Sequence, residues 1–259
     1  MTLLALESAT DLVGAALLRA DGALAEHSHT GGRAHAELLA PAIAEVCAVS
    51  GVTLSDVDAL AVDIGPGLFT GLRVGVATAK ALGQALGLGV LGVTSLDILA
   101  AGAREVAGPA RSARVVSVVD ARRSEVFAAA YDFGDGDDDG DARDPADVRD
   151  DRAEALSPDA LVQWLEELTA AGPVLVVGDG AVRYLDRLAP LPGVDTGLAG
   201  EVGAPSPSVL ARLAAQRLTA GVVATAPGDV VPDYRRHADA RINWEERAPQ
   251  RTAPPPAVP

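Results

Sequence analysis

The chain has 259 residues, a formal net charge of −15 and one cysteine, Cys47. This length gives room for one large domain or two ordinary ones, and a single cysteine excludes a disulfide-stapled fold. Broad nucleic-acid surfaces neutralise phosphates with lysine and arginine, so the acidic balance argues against such a surface. No apolar stretch approaches the ~20 residues of a membrane span, and no basic-then-apolar leader is visible. We therefore expect a cytoplasmic protein without membrane contact.

Hydrophobic periodicity predicts strands and helices that alternate after an initial meander, which is typical of an α/β protein with a mixed sheet in each of two units. The predicted strands cover residues 3–6, 13–18, 23–30, 59–64, 90–93, 115–119, 125–133 and 174–177. The predicted helices cover residues 34–49, 72–86, 95–104, 158–170 and 206–220, with one more after Gly178. Pro41 is expected to kink or break the first helix, because proline lacks the N–H that a helix interior needs.

The sequence divides into four parts. Residues 1–108 are expected to form an N-terminal lobe that binds a partner, and residues 109–204 a second lobe. Residues 205–247 are expected to pack back on the lobes, and the Pro- and Ala-rich residues 248–259 to be disordered. Within the second lobe, residues 132–154 carry eleven acidic residues and three arginines, a net charge of −8, which predicts a solvated acidic loop.

The most informative segment is a glycine-rich turn, Gly65-Pro66-Gly67-Leu68-Phe69-Thr70-Gly71, between a predicted strand and a predicted helix. Thr70 is the expected N-cap of that helix, as Ser95, Ser157 and Ser206 are of later ones. Such a turn can present backbone N–H groups to a phosphate or another anion. Its spacing matches neither GxxxxGK[ST] nor GxGxxG, so the turn alone does not identify a nucleotide-binding loop.

Small residues recur every fourth position along the helix after this turn, at Gly71, Gly75, Ala79, Gly83 and Gly87. Glycine in a helix interior costs about 1 kcal/mol relative to alanine, so the stripe needs a reason. Close approach by a partner helix is one reason, and tight packing of the helix on its own sheet is the other. The sequence leaves both open.

Two cations on the same helix are candidate binding residues. Arg73 and Lys80 lie two turns apart on a similar face, where they could bind a phosphate, pair with acids of a partner, or remain solvated. For metals, the sequence predicts no binding site. His35 is followed four residues later by Leu39, so no two-histidine metal face forms on that helix, and we expect no metal site.

Several segments together resemble the TsaB (YeaZ) family of bacterial tRNA-modification proteins. The block at residues 65–75 is the most specific part, and the supporting segments span nearly the whole chain in order. They are residues 4–10, 35–41, 93–96, 120–127 and 232–236. The resemblance implies a two-lobed fold of the actin, sugar-kinase and heat-shock-chaperone ATPase class.

The resemblance further implies a non-catalytic subunit that serves in making N6-threonylcarbamoyladenosine beside the tRNA anticodon. Such a subunit pairs with the transferase TsaD through N-terminal-lobe helices, and a TsaE-type ATPase belongs to the same complex. Contact with tRNA is expected to be indirect, and two copies are expected to pair when the partner is absent. The expected interface residues are His35, Leu38, Leu39, Ile43, Gly71, Arg73, Gly75, Ala79, Lys80 and Gly83.

No cofactor of its own is expected, with ATP or ADP possible at the subunit junction. The residues expected near such a nucleotide are Glu7, Thr10, Gly65, Gly67 and Thr70. Two departures weaken an autonomous ATP site: Glu7 stands where the family more often has Asp, and Leu68 replaces the usual Ser. The rival hypothesis is an ATP-dependent phosphotransferase or ATPase of the same fold, with Asp120 as its base.

Overall fold

The computed structural model of the chain describes residues 1–31, 34–108, 113–134, 144–152 and 154–235. The strands are β1 (Leu3–Glu7), β2 (Leu12–Leu18), β3 (Leu24–Thr30), β4 (Ala59–Gly65), β5 (Val90–Thr94), β6 (Arg114–Arg122), β7 (Glu125–Asp132), β8 (Arg149–Asp151), β9 (Val174–Val177) and β10 (Val194–Asp195). The helices are α1 (His35–Ser50), α2 (Phe69–Leu86), α3 (Ser95–Ala107), α4 (Pro158–Thr169), α5 (Asp179–Arg183), α6 (Leu185–Leu188) and α7 (Pro207–Thr219). Among the described residues, no helix is both long enough and apolar enough to cross a membrane.

The first sheet has the strand order β3-β2-β1-β4-β5, with β1 antiparallel to β2 and parallel to β4. Successive side chains of a strand point to opposite faces. Leu4 and Leu6 of β1 therefore join the core formed with α1 and α2, while Leu3 and Ala5 join the core formed with α7. Leu6 is in register with Val62, so the carboxyl ends of β1 and β4 lie side by side.

The second sheet has the strand order β10-β9-β6-β7-β8 and is also mixed. One face packs with α3 and the other with α4, through residues such as Leu96 and Leu165. Two mixed five-stranded sheets, each covered by helices, make a two-lobed α/β protein. The predicted fold class is confirmed.

Several local predictions are corrected. Helix α2 begins at Phe69 with Leu68 as its cap residue and no side-chain cap, so Thr70 lies inside the first turn. Thr94, rather than Ser95, caps α3 by accepting a hydrogen bond from the Asp97 amide at 3.2 Å. Helix α1 runs uninterrupted through Pro41, so the predicted break is absent. The predicted caps of α4 and α7 are confirmed, since each serine accepts a backbone amide of its own first turn.

A buried ionic network joins the second sheet to α7, which packs against β1 and β2 of the first. Asp97 accepts hydrogen bonds from Tyr131 and Arg149, both at 3.1 Å, and from Arg217 at 2.9 Å. Arg217 also pairs with Asp144 at 2.6 Å. This part of the predicted acidic loop is thus held by an ion pair rather than solvated. Residues 135–143 and 153 of that loop, and the tail from residue 236, lie outside the described residues.

We expect Asp97→Ala to lower the free energy of unfolding by about 3–5 kcal/mol, because it leaves two partly buried arginines without their shared carboxylate. The matched control is Asp159→Ala, which removes a solvent-exposed carboxylate paired with Arg187. That change should cost no more than about 1 kcal/mol. Denaturant unfolding measures both. Equal losses in the free energy of unfolding would show that the buried network contributes no more to stability than an exposed ion pair.

Candidate functional site

The glycine turn packs directly against the turn between β1 and β2. The Leu68 amide donates to the Ala9 carbonyl at 2.6 Å, and a Cβ added to Gly67 would lie 2.1 Å from that same oxygen. One helical turn later, a Cβ on Gly71 would lie 2.0 Å from the Ser8 carbonyl oxygen. Real Cβ atoms do not approach carbonyl oxygens this closely, so only glycine fits at these two positions.

The small-residue stripe of α2 faces into the chain. A Cβ on Gly75 would lie 2.4 Å from the Ser8 hydroxyl, Ala79 is fully buried, and a Cβ on Gly83 would lie 2.8 Å from the side chain of Pro227. Of the two reasons that the sequence left open, packing within the chain explains the first four members of the stripe, whereas Gly87 ends α2 in the left-handed conformation with nothing within 4 Å of an added Cβ. The prediction that Gly71, Gly75, Ala79 and Gly83 contact a partner is wrong, because their face of the helix is covered.

Most of the predicted contact residues of α1 are also interior. His35 is buried and its Nε2 donates to the Thr10 carbonyl at 2.7 Å, which fixes the start of α1 to the β1–β2 turn. Leu39 and Ile43 are buried in the core of the first sheet, and Leu38 is partly buried against it. Their helical spacing marks the core face of α1, so His35, Leu39 and Ile43 are unavailable to a partner.

The opposite faces of the two helices form an exposed surface, here named the α1–α2 surface. Arg73 is exposed and Lys80 is half-buried on its α2 side, and both remain candidate contact residues. The exposed residues are Ala36, Glu37, Ala40, Pro41, Ala44, Glu45, Ala48 and Val49 of α1, and Phe69, Thr70, Arg73, Ala77, Ala81, Gln84 and Ala85 of α2. Small side chains dominate this surface.

Two carboxyl groups lie buried side by side at the carboxyl ends of β1 and β4. Glu7 Oε1 accepts from the Ala9 amide at 2.7 Å, and Asp63 Oδ1 accepts from the Gly65 amide and the Ser95 hydroxyl, each at 2.7 Å. The other two oxygens, Glu7 Oε2 and Asp63 Oδ2, are buried, and the two side chains lie within hydrogen-bonding reach of each other. The sequence analysis missed Asp63 because it sits inside an apolar strand pattern.

Burial raises the pKa of the Glu7 carboxyl well above its ordinary 4.5, and the adjacent Asp63 raises it further. Burial also raises the pKa of Asp63, to about 6, against the lowering effect of its hydrogen bonds with Glu7, the Gly65 amide and Ser95. Two adjacent carboxylates buried without a counter-charge cannot both ionise cheaply. The raised pKa values therefore favour one protonated carboxyl beside one ionised carboxyl, and a proton shared between Glu7 Oε2 and Asp63 Oδ2 would give each of these otherwise unpartnered oxygens a hydrogen bond.

These contacts decide what the residues predicted near a nucleotide can do. The structure brings Glu7, Thr10, Gly65, Gly67 and Thr70 together around the turn, but the first three are buried. The amides of Gly65 and Leu68 already donate within the chain. Those two amides are therefore unavailable to a phosphate in this conformation. Among the described residues, no group of three or more His, Cys, Asp or Glu side chains is placed to hold a metal.

A second polar cluster lies at the β6–β7 turn. Asp120 accepts from Arg122 and Arg183, both at 3.0 Å, and Arg122 also reaches Asp11 of the β1–β2 turn at 3.0 Å. Burial raises the pKa of nearby Asp179 to about 6. Because two guanidinium groups hold the Asp120 carboxylate, it is poorly suited to serve as the base of the rival phosphotransferase hypothesis.

A third cluster was missed by the sequence analysis because its members lie far apart in sequence. The Arg73 guanidinium carbon lies 3.7 Å from the centre of the Phe69 ring, and Arg73 Nε donates to the Tyr234 hydroxyl at 3.2 Å. The Phe69 and Tyr234 rings are 5.2 Å apart, centre to centre. We call these three residues the aromatic cluster.

Known proteins resemble the chain over most of its length. The family model of TsaD, tRNA N6-adenosine threonylcarbamoyltransferase, matches residues 23–160. The TsaB proteins of Bacillus subtilis and Escherichia coli, both described as tRNA threonylcarbamoyladenosine biosynthesis proteins, are each 30% identical to it. The first match spans 252 residues, 95% of this chain and 99% of that protein, and the second spans 226 residues, 85% and 89%.

A solved structure from Pseudomonas aeruginosa, described as an uncharacterized protein with similarity to peptidase YEAZ, is 31% identical with a TM-score of 0.72. It covers 91% of this chain and 99% of its own. Fold and site together define a two-lobed α/β protein of the actin and sugar-kinase class. Within that class the chain belongs to the TsaB (YeaZ) family, which confirms the resemblance found in the sequence.

We expect Gly71→Ala to lower the free energy of unfolding by about 1–3 kcal/mol, because the new methyl group collides with the Ser8 carbonyl. In an exposed helix the same change would stabilise by about 1 kcal/mol, so the sign is diagnostic. Gly200→Ala is the control, since nothing lies within 4 Å of its added Cβ. Its effect should stay within about 0.5 kcal/mol. A stabilised Gly71→Ala variant in denaturant unfolding would contradict the packing described here.

The acid pair predicts a pH dependence of stability. Both folded-state pKa values are raised, so the folded chain binds more protons than the unfolded chain at pH values between the ordinary values, 3.8 and 4.5, and the raised ones, about 6 for Asp63 and well above 4.5 for Glu7. The stabilising contribution is therefore complete below about pH 4 and is lost as the pH rises through and beyond 6.

Glu7→Gln replaces the shared proton with an amide donor and should flatten this part of the stability profile. Unfolding in urea between pH 4 and 8 measures it. The control, Glu37→Gln, removes an exposed acid of α1 and should leave the slope of the wild type unchanged. If Glu7→Gln has the slope of the wild type, the two acids do not share a proton.

Proposed function

We propose that this chain is a non-catalytic scaffold subunit of the complex that installs N6-threonylcarbamoyladenosine next to the tRNA anticodon. In that role it pairs with a TsaD-type transferase and supports it. Membership of the TsaB family supports a role in this modification, since the relatives from Bacillus subtilis and Escherichia coli are described as tRNA threonylcarbamoyladenosine biosynthesis proteins. The match of the transferase model to residues 23–160 supports a partner of like fold, because that range includes α1 and α2.

The observation that carries the proposal is the α1–α2 surface. Its α2 side is an i, i+4 ridge, which is the kind of row that packs into the groove of another helix. The ridge consists of Phe69, Arg73, Ala77, Ala81 and Ala85. The three alanines allow a facing backbone to come close. A helix pair of this kind suits association with a second, similar helix pair about an approximate two-fold axis.

Charge on the α1–α2 surface also suits such an arrangement. On α1 the exposed charged residues are both acidic, Glu37 and Glu45. On α2 the charged residues are both basic: Arg73 is exposed and Lys80 is half-buried. When two similar helix pairs meet about a two-fold axis, α1 of each can lie against α2 of the other. The acidic residues of each α1 then face the basic residues of the opposing α2, which favours this arrangement of the two helix pairs.

The interior of the site argues against the rival phosphotransferase. The Gly65 and Leu68 amides are used within the chain, Glu7 is buried beside Asp63, and Asp120 is held by two arginines. These groups would have to give up those contacts before they could bind phosphate or remove a proton. A supporting role needs none of them to move.

The remaining parts of the proposal follow the family. We propose that a TsaE-type ATPase joins the complex, that ATP or ADP binds at the junction rather than on this chain alone, and that two copies pair through the α1–α2 surface when the transferase is absent. The net charge of −15 supports indirect contact with tRNA. A complex acting on tRNA would place the chain in the cytoplasm.

Co-purification with the TsaD-type transferase from the same genome tests the pairing. We expect the wild-type chain to bind it and Ala81→Glu to weaken the affinity by about tenfold or more, because a buried unpaired charge would sit on the ridge. Ala189→Glu, on an exposed position of the second lobe, is the matched control and should bind normally. Failure of the wild type to bind, or equal binding by both variants, would contradict the proposal. Tight Mg-ATP binding with turnover by the isolated chain, measured by calorimetry, would favour the phosphotransferase instead.

A further inference from the structure

We propose that the aromatic cluster of Phe69, Arg73 and Tyr234 is the anchor by which the α1–α2 surface holds the transferase. The partner would cover it with an apolar pocket flanked by a carboxylate. This inference rests on the proposed function and adds to it the residues that supply most of the affinity. It also brings the C-terminal segment, at Tyr234, into the interface.

The rings of the aromatic cluster are unusually exposed. Phe69 is 49% exposed, although phenylalanine is a residue type that proteins normally bury, and Tyr234 is 45% exposed. The other aromatic side chains that the structure describes are buried or half-buried; they are Phe127, Tyr131, Phe133, Trp164 and Tyr184. In a chain with only 3% aromatic residues, the two exposed rings lie against each other. Contiguous exposed apolar surface of this kind marks interaction sites.

The cluster is held in place before any partner binds. Tyr234 stands on a segment fixed at both sides: the Asp233 amide donates to the Ile64 carbonyl at 2.7 Å, and Arg235 Nη2 pairs with Asp151 Oδ2 at 2.8 Å. Arg73 then stacks on Phe69 and donates to the Tyr234 hydroxyl. Groups held in place before binding lose little conformational freedom on association.

The residue types of the cluster are those that bind protein partners. Tyrosine and arginine are enriched among the residues that dominate binding energies, and aromatic side chains in general are enriched at interfaces. Among the described residues no carboxylate pairs with Arg73, and its Nε is the atom that bonds Tyr234. The guanidinium retains donors for an acid of the partner. Helix α2 carries no acidic residue, so its exposed side presents positive charge to that partner.

The cluster is continuous with the ridge of α2. Phe69 and Arg73 are its first two members, and the alanines of the next three turns follow in line. The ridge therefore has two large side chains at its N-terminal end, which protrude, and three small ones after them, which allow close packing. The cluster therefore sets the register of a facing helix, while the alanines let that helix approach.

A protein partner is favoured over RNA. Stacked rings beside an arginine can also hold a nucleobase. However, the chain carries a net charge of −15, and stacking platforms for RNA lie in positively charged grooves. The RNA alternative is one outcome of the test below.

The test compares Phe69→Ala and Tyr234→Ala with matched changes elsewhere. Leu185→Ala and Val182→Ala remove side chains of the second lobe that are 39% and 46% exposed. Affinity for the purified transferase is measured by calorimetry, and thermal unfolding checks that each variant is folded. We expect each cluster variant to weaken binding by about tenfold or more and each control by less than about twofold. Tyr234→Phe, which loses only the hydroxyl, should fall between them.

The outcomes separate the two proposals. If the wild type and both cluster variants bind the transferase equally, the anchor is wrong and the pairing stands. If the wild type does not bind, both are wrong. If the variants bind the transferase normally but the assembled complex no longer retains tRNA, the cluster contacts RNA, which overturns the anchor. A loss of affinity confined to the cluster variants is the result that the proposal requires.

Discussion

The close contact between the glycine turn and the β1–β2 turn is the constraint on which the rest of the site depends. The Leu68 amide donates to the Ala9 carbonyl at 2.6 Å. At Gly71 the backbone lies so close to the Ser8 carbonyl that any side chain would collide with it. This contact sets the height and rotation of α2 over the first sheet. The face of α2 that carries the glycines packs against the interior of the chain. The opposite face of the helix is therefore exposed to solvent.

That rotation links the interior of the site to its surface. Inward, the contact lies at the carboxyl ends of β1 and β4, where the parallel register places Glu7 beside Asp63. Outward, it presents the ridge that begins with Phe69 and Arg73. One set of contacts thus accounts both for the use of the Leu68 amide within the chain and for the exposed helix pair. A supporting subunit is the function that these two properties favour together.

The sequence was sufficient for the fold class and the family, since strand and helix periodicity and the block at residues 65–75 are local signals. It was insufficient for the direction of the small-residue stripe, because the atoms that need the space belong to Ser8, more than sixty residues earlier. Tyr234 was missed for the same reason: its ring meets Phe69 only after the chain has crossed both lobes. The resemblance marked His35 and Leu39 as interface residues because it assigns the partner contact to α1, whereas their helical spacing identifies the core face of that helix.

The proposed function requires that the chain support threonylcarbamoyl transfer without contributing catalytic groups. This is tested by the N6-threonylcarbamoyladenosine content of tRNA, measured by mass spectrometry in a strain that lacks this gene. We expect the modified adenosine to disappear, and both the wild-type gene and the Glu7→Gln variant to restore it. Full modification in the deletion strain, or rescue by the wild type but not by a folded Glu7→Gln variant, would contradict the account.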